Sequence, residues 1–243
     1  MKQNEPKIIV AIDANTREEA YTQVQQLDPK LCHLKIGNVL FTRYGFPFIE
    51  ELMKKNYKIF LDLKFHDIPK IVADSCRNAA LLGVWMIDVH VFGGRIMLET
   101  VIDILHTVRI KPLVVGITIL TSLDTEDFKS LGINNNISSV VSCMAELAKE
   151  SGLNGVVCSA NEVSLLRKQQ GKEFLLVTPG IRLSFEKKID QKRTVTPEDA
   201  IKAGSDYLVI GRSIVQSLNP GEALQKITSS ISIVATTTNI TPA

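Results

Sequence analysis

The chain has 243 residues, of which 45% are hydrophobic and 22% are charged, and its formal net charge at pH 7 is +2. This balance is ordinary for a globular protein with a buried core, and it gives no electrostatic reason to expect a nucleic acid or a membrane as partner. The polar residues 1–6 lead into no signal-peptide core, and no apolar run is long enough to span a bilayer. The four cysteines show no metal-type or redox-type spacing and lie in apolar segments, which predicts reduced core residues in a cytoplasmic protein.

Eight short apolar runs alternate with segments that carry helix signals. The runs are rich in Val, Ile and Leu, as in parallel strands that are covered by helices. Thr16 and Glu19 predict a capping box at the first helix, and Thr196 followed by Pro197 predicts a later helix start. The predicted strands are residues 7–13, 31–37, 57–65, 84–91, 112–120, 155–160, 174–181 and 207–213.

Eight strand–helix units in a chain of this length predict the α/β class and a (β/α)8 TIM barrel in a single domain. We assign residues 1–228 to the barrel. Residues 229–243 are rich in Thr and Ser, and we predict a polar, loosely ordered C-terminal tail there. A doubly wound open sheet is the competing architecture, which the number of strands alone does not exclude.

Polar residues gather where the predicted strands end. In (β/α)8 barrels the active site lies at the carboxyl ends of the strands. Burying so many polar groups in a core would be costly, so their convergence on one face predicts a functional site. The residues concerned are Asp13, Lys35, Asp62, Lys64, His90, Thr121, Arg182, Gly211 and Arg212.

The segment 62–69 reads Asp-Leu-Lys-Phe-His-Asp-Ile-Pro and begins within the third predicted strand. Alternation along a strand places Asp62 and Lys64 on the same face, and Asp67 follows in a loop. Two carboxylates therefore bracket one ammonium. A structural ion-pair network with Lys35 is one interpretation. Because desolvation offsets much of the attraction in such a network, work on a substrate is the favoured one.

A metal site is a further alternative for these residues, with Asp13, Asp62, Asp67, His66 or His90 as ligands. The lysine between the two carboxylates already neutralises them, so charge balance does not require a divalent ion. The sequence contains no zinc-type cysteine spacing and no P-loop. We therefore predict no metal ligands.

The ends of strands seven and eight predict a phosphate pocket, which barrels often build there. Gly211 allows close approach of the backbone to an anion, and Arg212 offers a planar fork of donors. Arg182 is a second cation, and Gln191 lies on the following loop. A helix after Ser213 is expected to direct its N-terminal amides to the same anion.

This arrangement resembles the orotidine 5′-phosphate decarboxylase family, and the resemblance runs from residues 10–13 to residues 209–213. The segment 62–69 matches the D-x-K-x-H-D-I-P core motif of that family. Supporting segments occur in the same order. They are Lys35-Ile36-Gly37, Leu120-Thr121-Ser122, Pro179-Gly180-Ile181-Arg182, Asp190-Gln191-Lys192-Arg193 and Thr196-Pro197.

The resemblance implies decarboxylation of orotidine 5′-monophosphate (OMP) to uridine 5′-monophosphate (UMP) and CO2 in pyrimidine biosynthesis, without metal or organic cofactor. It implies that Lys64 protonates C6, that Asp62 lies beside the substrate carboxylate, and that Lys35 completes the charged array. It also implies a homodimer in which Asp67 reaches the neighbouring active site, with no nucleic-acid or membrane partner. The implied substrate-binding residues are Asp13, Lys35, Asp67, Ile68, Thr121, Arg182, Gln191, Gly211 and Arg212.

Two other functions fit part of the pattern. Related barrels that act on sugar phosphates as lyases or decarboxylases use D-x-K-x-x-D with magnesium, but His66 to Pro69 together with Arg182 and Gln191 favour the pyrimidine nucleotide. A barrel that only binds nucleotide is the second alternative, against which the intact carboxylates and lysine of residues 62–67 argue. The loops after strands five and seven are the candidate lids, and residues 181–193 are the favoured one because they form a long, charged loop that carries Arg182 and Gln191.

Overall fold

The computed structural model describes residues 5–182 and 195–238. Its eight strands are parallel and follow one another in sequence order as a closed barrel, which confirms the predicted (β/α)8 fold. The strands are β1 (Ile8–Ile12), β2 (Cys32–Gly37), β3 (Ile59–Phe65), β4 (Met86–His90), β5 (Leu113–Ile117), β6 (Gly155–Val157), β7 (Leu175–Thr178) and β8 (Tyr207–Ile210).

Helices alternate with the strands throughout the described residues. A single 3-10 turn, Val91–Gly93, follows β4. The helices are α1 (Arg17–Val24), α2 (Asn38–Lys54), α3 (Pro69–Leu82), α4 (Gly94–His106), α5 (Thr125–Ser130), α6 (Ile137–Glu150), α7 (Val163–Gln170), α8 (Pro197–Ala203), α9 (Arg212–Val215) and α10 (Pro220–Thr238).

All eight predicted strands are present, and most are shorter than predicted at their carboxyl ends. Strand β7 ends at Thr178 because Pro179 has no N–H to donate to a neighbouring strand. Strand β8 ends at Ile210, and the next residues already begin α9. Of the nine residues predicted at strand ends, four therefore lie in the connections just beyond the strands, four lie within strands, and Arg212 begins α9.

The chain divides into two compact units, and the first comprises the described residues 5–62, 178–182 and 195–238. In this unit β1 pairs with β2 and with β8, so Ile8 lies opposite both Cys32 and Leu208. Side chains of these strands and of α10 are buried, including Leu224 and Ile227. Consecutive residues of β1 are fully buried, so both faces of this strand are covered, as is typical of a parallel sheet with helices on its outer side.

The second unit comprises residues 63–177. Strand β5 pairs with β4 on one side and with β6 on the other. Strand β6 approaches β7 very closely, because a Cβ atom built at Gly155 would lie only 2.2 Å from the Leu175 carbonyl oxygen. Any residue with a Cβ atom would clash with Leu175 at this position, so the pairing of β6 with β7 requires glycine.

The helix starts follow the predicted capping chemistry with one change. Thr16 Oγ1 accepts a hydrogen bond from Glu19 N at 3.1 Å, as predicted, but the Glu19 carboxylate accepts from Asn15 N instead of reaching the Thr16 amide. Thr196 Oγ1 accepts from Asp199 N at 3.2 Å. These caps satisfy amides that have no partner within their own helix.

Two predictions about the periphery differ from the structure. Helix α10 continues to Thr238, so the first ten residues of the predicted loose tail are helical, and buried Ile231 extends the apolar face begun by Ile227. Cys143 is exposed, whereas the other three cysteines are buried as predicted, and none of the four forms a disulfide. No helix in the described ranges is long and apolar enough to cross a membrane.

Candidate active site

A cavity of about 370 Å³ lies at the carboxyl ends of the strands in the first unit. Its walls come from the ends of β1, β2 and β8 and from the segment after β7. Five of the predicted site residues line this cavity. Three of these five carry positive charge and one carries negative charge, so the cavity favours an anionic ligand. They are Asp13, Lys35, Arg182, Gly211 and Arg212.

Strands β2 and β3 bring Lys35 against Asp62. Lys35 Nζ lies 2.6 Å from Asp62 Oδ2, and the two side chains are only 20% and 10% exposed. Low exposure makes this attraction stronger than that of a surface pair. The carboxylate therefore holds the Lys35 ammonium at the wall of the cavity.

The anion-binding end of the cavity follows β7 and β8. Gly180 has a φ of 78°, which favours glycine, and it turns the chain towards Arg182. Arg182 N donates to Val195 O at 3.2 Å, which ties this segment to the residues before α8. Arg182 and Arg212 both line the cavity, so this end of it carries two positively charged side chains.

A helix was predicted to follow Ser213, but α9 begins at Arg212, includes Ser213 and has only four residues. So short a helix contributes little dipole, because the macrodipole is a sum over aligned peptide units. The exposed Arg212 side chain is therefore the main source of positive charge at the end of β8.

Lys64, at the end of β3, has an unusual backbone conformation. Its φ is 50°, in the left-handed region, whereas the predicted alternation of side chains assumes an extended strand. Lys64 N donates a hydrogen bond to Asp88 Oδ1 at 2.8 Å. Asp88 lies in β4 and is fully buried.

Asp67 and Ile68 form the exposed connection between β3 and α3 in the second unit. Asp67 Oδ1 accepts a hydrogen bond from Ile68 N at 2.6 Å, and Pro69 then starts α3. The Ile68 side chain is 64% exposed. An acidic group therefore lies beside an exposed apolar one on this surface.

His66 and His90 stack on each other with ring centroids 5.2 Å apart. Burial lowers the pKa of His90, and the nearby His66 and Lys64 lower it further. Both effects favour the neutral imidazole of His90 near pH 7. Among the described residues, no three His, Cys, Asp or Glu side chains come together as a group that could hold a metal ion.

Thr121 and Gln191 complete the set of predicted site residues. Thr121 is exposed in the turn between β5 and α5, where the nearby Thr118 hydroxyl donates to Val157 O at 2.8 Å. Gln191 and most of the predicted lid at residues 181–193 lie outside the described residues.

The structure adds residues to the predicted set. Asn38 and Ser213 also line the cavity; Asn38 directly follows the end of β2, and Ser213 directly follows the predicted site residue Arg212. Asp88 was missed in the second unit. Its signal in the sequence was an ionisable residue inside the apolar run 84–91, where an aspartate requires strong hydrogen bonding.

Comparison with known proteins identifies the family. A protein-family model described as "Orotidine 5'-phosphate decarboxylase / HUMPS family" matches residues 6–227. The chain belongs to this family. The matched span contains every predicted site residue, including those of both compact units.

Relatives in the orotidine 5′-phosphate decarboxylase / HUMPS family match nearly end to end. A protein of Coxiella burnetii (strain RSA 493 / Nine Mile phase I), named orotidine 5′-phosphate decarboxylase, is 59% identical over 233 residues, which cover 95% of this chain and 99% of the relative. A protein of the same name from Legionella pneumophila (strain Corby) is 47% identical over 223 residues, 91% of this chain and 97% of its own.

A solved structure agrees with these relatives. The crystal structure of orotidine 5′-phosphate decarboxylase from Lactobacillus acidophilus is similar with a TM-score of 0.83 and 33% sequence identity, and it covers 93% of this chain and 99% of its own. The predicted family and the predicted enzyme class, a decarboxylase, are confirmed.

Proposed function

We propose that this enzyme decarboxylates OMP to UMP and CO2 without a cofactor. The observation that carries the proposal is the cavity of about 370 Å³, which combines the Lys35 ammonium with the guanidinium groups of Arg182 and Arg212. A nucleotide with a carboxylate on its base and a phosphate on its ribose offers an anion to each of these regions. The names of the family and of its relatives support the same substrate.

In the proposed reaction, the bond between C6 of the pyrimidine and its carboxylate breaks, and CO2 departs. The electron pair of that bond stays on C6, and Lys64 then transfers a proton to C6. Each tenfold increase in rate requires about 1.4 kcal/mol of barrier lowering, so preorganised charge must supply most of the stabilisation. The Lys64 ammonium serves twice, first as the nearby positive charge and then as the acid.

Asp62 is proposed to lie beside the carboxylate of the substrate, and Lys35 to complete the array. The contact between Lys35 Nζ and Asp62 Oδ2 supports this assignment, because it fixes both charges at low exposure before substrate arrives. Preorganised charges need no reorientation during the reaction, which is the basis of electrostatic catalysis.

Binding of the remote phosphate is assigned to the other end of the cavity. Arg182, Gly211, Arg212 and Gln191 are the proposed phosphate ligands, and Asp13 is the proposed partner of the ribose hydroxyls. Binding energy gained there holds the pyrimidine in place for chemistry at C6. Thr121 and Ile68 are proposed to contact the nucleotide as well.

A homodimer with a shared active site is part of the proposal, with Asp67 reaching the neighbouring subunit. Exposed Asp67 sits among exposed apolar side chains, since Ile68 is 64% and Ile71 48% exposed. Apolar groups exposed together favour a protein interface. Residues 1–228 are proposed as the barrel domain. The cytoplasm is proposed as the location, which is consistent with four cysteines that form no disulfide.

Loss of the ultraviolet absorbance of orotate, followed with purified protein and OMP, tests this function. We expect turnover by the native chain and a loss of kcat of at least about 1,000-fold in Lys64→Ala, because both the acid and its charge are removed. Lys226→Ala is the matched control, since Lys226 lies on α10 and its side chain is 75% exposed. Equal rates for native protein and Lys64→Ala would refute the role of Lys64.

A further inference from the structure

The left-handed backbone of Lys64 needs a physical cause. In the described residues only two non-glycine residues have positive φ, Asn56 at 66° and Lys64 at 50°. Asparagine adopts this region comparatively often, whereas a long side chain such as lysine does so rarely. Such a conformation persists when surrounding groups hold it, and it clusters at functional sites.

Asp88 provides a contact that can hold this conformation. Its Oδ1 atom accepts the hydrogen bond from Lys64 N at 2.8 Å. Asp88 is 0% exposed and lies between Ile87 and Val89 in the middle of β4, whose register with β5 pairs it with Val115. A hydrogen bond from an amide to a carboxylate is stronger than one to a neutral oxygen, and burial removes competition from water.

The burial of an aspartate at this point is not explained by hydrophobic packing. A carboxylate in an apolar strand is costly unless a specific interaction compensates for it. Its neighbours on β4 are buried and apolar, so an apolar residue would suit the packing of that strand. The hydrogen bond from the Lys64 amide offsets part of the free energy cost of burying the Asp88 carboxylate, and Lys64 is the residue proposed to deliver the proton.

We propose that Asp88 is a positioning residue that holds the Lys64 backbone in its left-handed conformation and thereby directs the Lys64 ammonium. This inference rests on the proposed function, in which Lys64 protonates C6. Asp88 acts here through the position of its acceptor oxygen, and it does not touch substrate. If the Lys64 backbone changed from the left-handed to the extended conformation, its side chain would leave in another direction and the ammonium would move away from the reacting carbon.

Replacements that separate the acceptor from the charge test this role. Asp88→Asn keeps an oxygen at the same distance from the backbone but removes the charge, whereas Asp88→Glu keeps the charge and displaces the oxygen. Asp88→Val removes both. Val89→Ala is the matched control, because Val89 is equally buried on the same strand and its side chain lies on the other face.

We expect Asp88→Asn to retain kcat within about threefold, and Asp88→Glu and Asp88→Val to lose on the order of 100-fold in kcat with little change in KM. Val89→Ala should unfold at lower temperature yet keep its kcat. A similar kcat loss in Val89→Ala, or a kcat of Asp88→Asn reduced as far as that of Asp88→Val, would overturn the proposal. Asparagine has nearly the same shape as aspartate, so the kcat of Asp88→Asn tests the proposal even if Asp88→Glu and Asp88→Val do not fold.

A second measurement is independent of activity. Crystal structures of Asp88→Asn and Asp88→Val should show Lys64 with left-handed φ in the former and extended φ in the latter. Left-handed φ retained in Asp88→Val would overturn the inference. Absence of OMP turnover in the native chain would refute the proposed function, while the φ of Lys64 in these variants would still decide whether Asp88 holds it.

Discussion

Lys35 Nζ lies 2.6 Å from Asp62 Oδ2, and Lys35 also lines the cavity that contains Arg182 and Arg212. Lys35 is therefore both one partner of a structural ion pair and part of the cavity wall. Removing one partner leaves the other charge at a site with little exposure to water. Breaking such a pair costs more than replacing both residues together.

A double-mutant cycle on Lys35 and Asp62 tests this coupling. We expect Asp62→Leu and Lys35→Met each to lower the free energy of unfolding by about 1–3 kcal/mol, and the double variant to recover part of that loss. Urea denaturation of the four proteins measures the effect. Strictly additive losses would show that the two charges do not stabilise each other.

The phosphate role of Arg212 can be isolated by changing the substrate. With OMP, Arg212→Ala should lower kcat/KM by about 10- to 100-fold, mostly through KM, because a charge-assisted hydrogen bond is lost. With orotidine, which lacks the phosphate, the same variant should behave like native protein. Arg109→Ala, an exposed arginine after α4, is the control. An equal loss with both substrates would contradict phosphate binding by Arg212.

Metal independence separates the proposed reaction from that of the related magnesium-dependent barrels. We expect the OMP decarboxylation rate to be unchanged in excess EDTA, since Lys35 and Lys64 supply positive charge from the chain itself. The comparison is the initial rate with EDTA, and with EDTA followed by excess Mg²⁺. A rate that falls with chelator and returns with Mg²⁺ would contradict the cofactor-free mechanism.

The shared site predicts recovery of activity when two inactive variants are mixed. Lys64→Ala and Asp67→Ala homodimers should each be nearly inactive, whereas a mixed dimer has one site that carries neither change. Subunit exchange should therefore restore up to about one quarter of native activity for an equal mixture at random exchange, because half of the dimers are mixed and each has one intact site.

Mass spectrometry of differently tagged subunits verifies the exchange in that experiment. A mixture of Lys64→Ala with Lys226→Ala serves as the reference, because its expected activity does not depend on whether Asp67 crosses an interface. No recovery by the first mixture after verified exchange would place Asp67 in its own subunit's site.

The stability of the fold should depend on pH through His33. Burial, and then the positive charge of Lys58, lower the pKa of His33 to about 4, and Glu5 opposes this effect from 3.8 Å. An unfolded histidine takes up its proton near pH 6.5, so the unfolded state binds more protons between these values. Stability should therefore fall as the pH falls, by about 2 kcal/mol from pH 7.5 to pH 5 for this residue alone.

Urea denaturation at the two pH values measures that loss, and His33→Phe should show a smaller one. The pH dependence of stability that remains in His33→Phe includes the contribution of His90, whose lowered pKa also makes stability fall as the pH falls. His106→Ala is the control, because His106 is exposed at the end of α4. An identical pH dependence for native protein and His33→Phe would contradict the assignment.

The barrel was predictable because its strands are short apolar runs and its helices carry local signals such as Thr16 and Thr196. One rule, that polar residues at strand ends converge, predicted that Asp13, Lys35 and Arg212 would come together, and all three line the same cavity. The prediction of the barrel and the prediction of the strand-end residues both depend on the spacing of residues along the chain, which can be read from the sequence.

Other features depend on contacts between distant residues and were not predictable. No local signal indicates that Lys64 is left-handed, because the cause lies on another strand at Asp88. The start of the loose tail was placed too early for a similar reason, since the Ser and Thr composition suggested disorder from residue 229 onward, whereas α10 continues to Thr238 and buries Ile231. Tertiary context overrode local preference in both cases.

At Gly155, a loss of growth in a mutational screen would report a loss of folded protein, not a loss of catalysis. Any side chain there would press against the Leu175 carbonyl across the β6–β7 pair. A saturation library selected for growth would show the same intolerance at Gly155 as at a residue that handles protons, although one loses soluble protein and the other loses turnover. Measuring the abundance of each variant together with growth therefore distinguishes residues needed for folding from residues needed for catalysis.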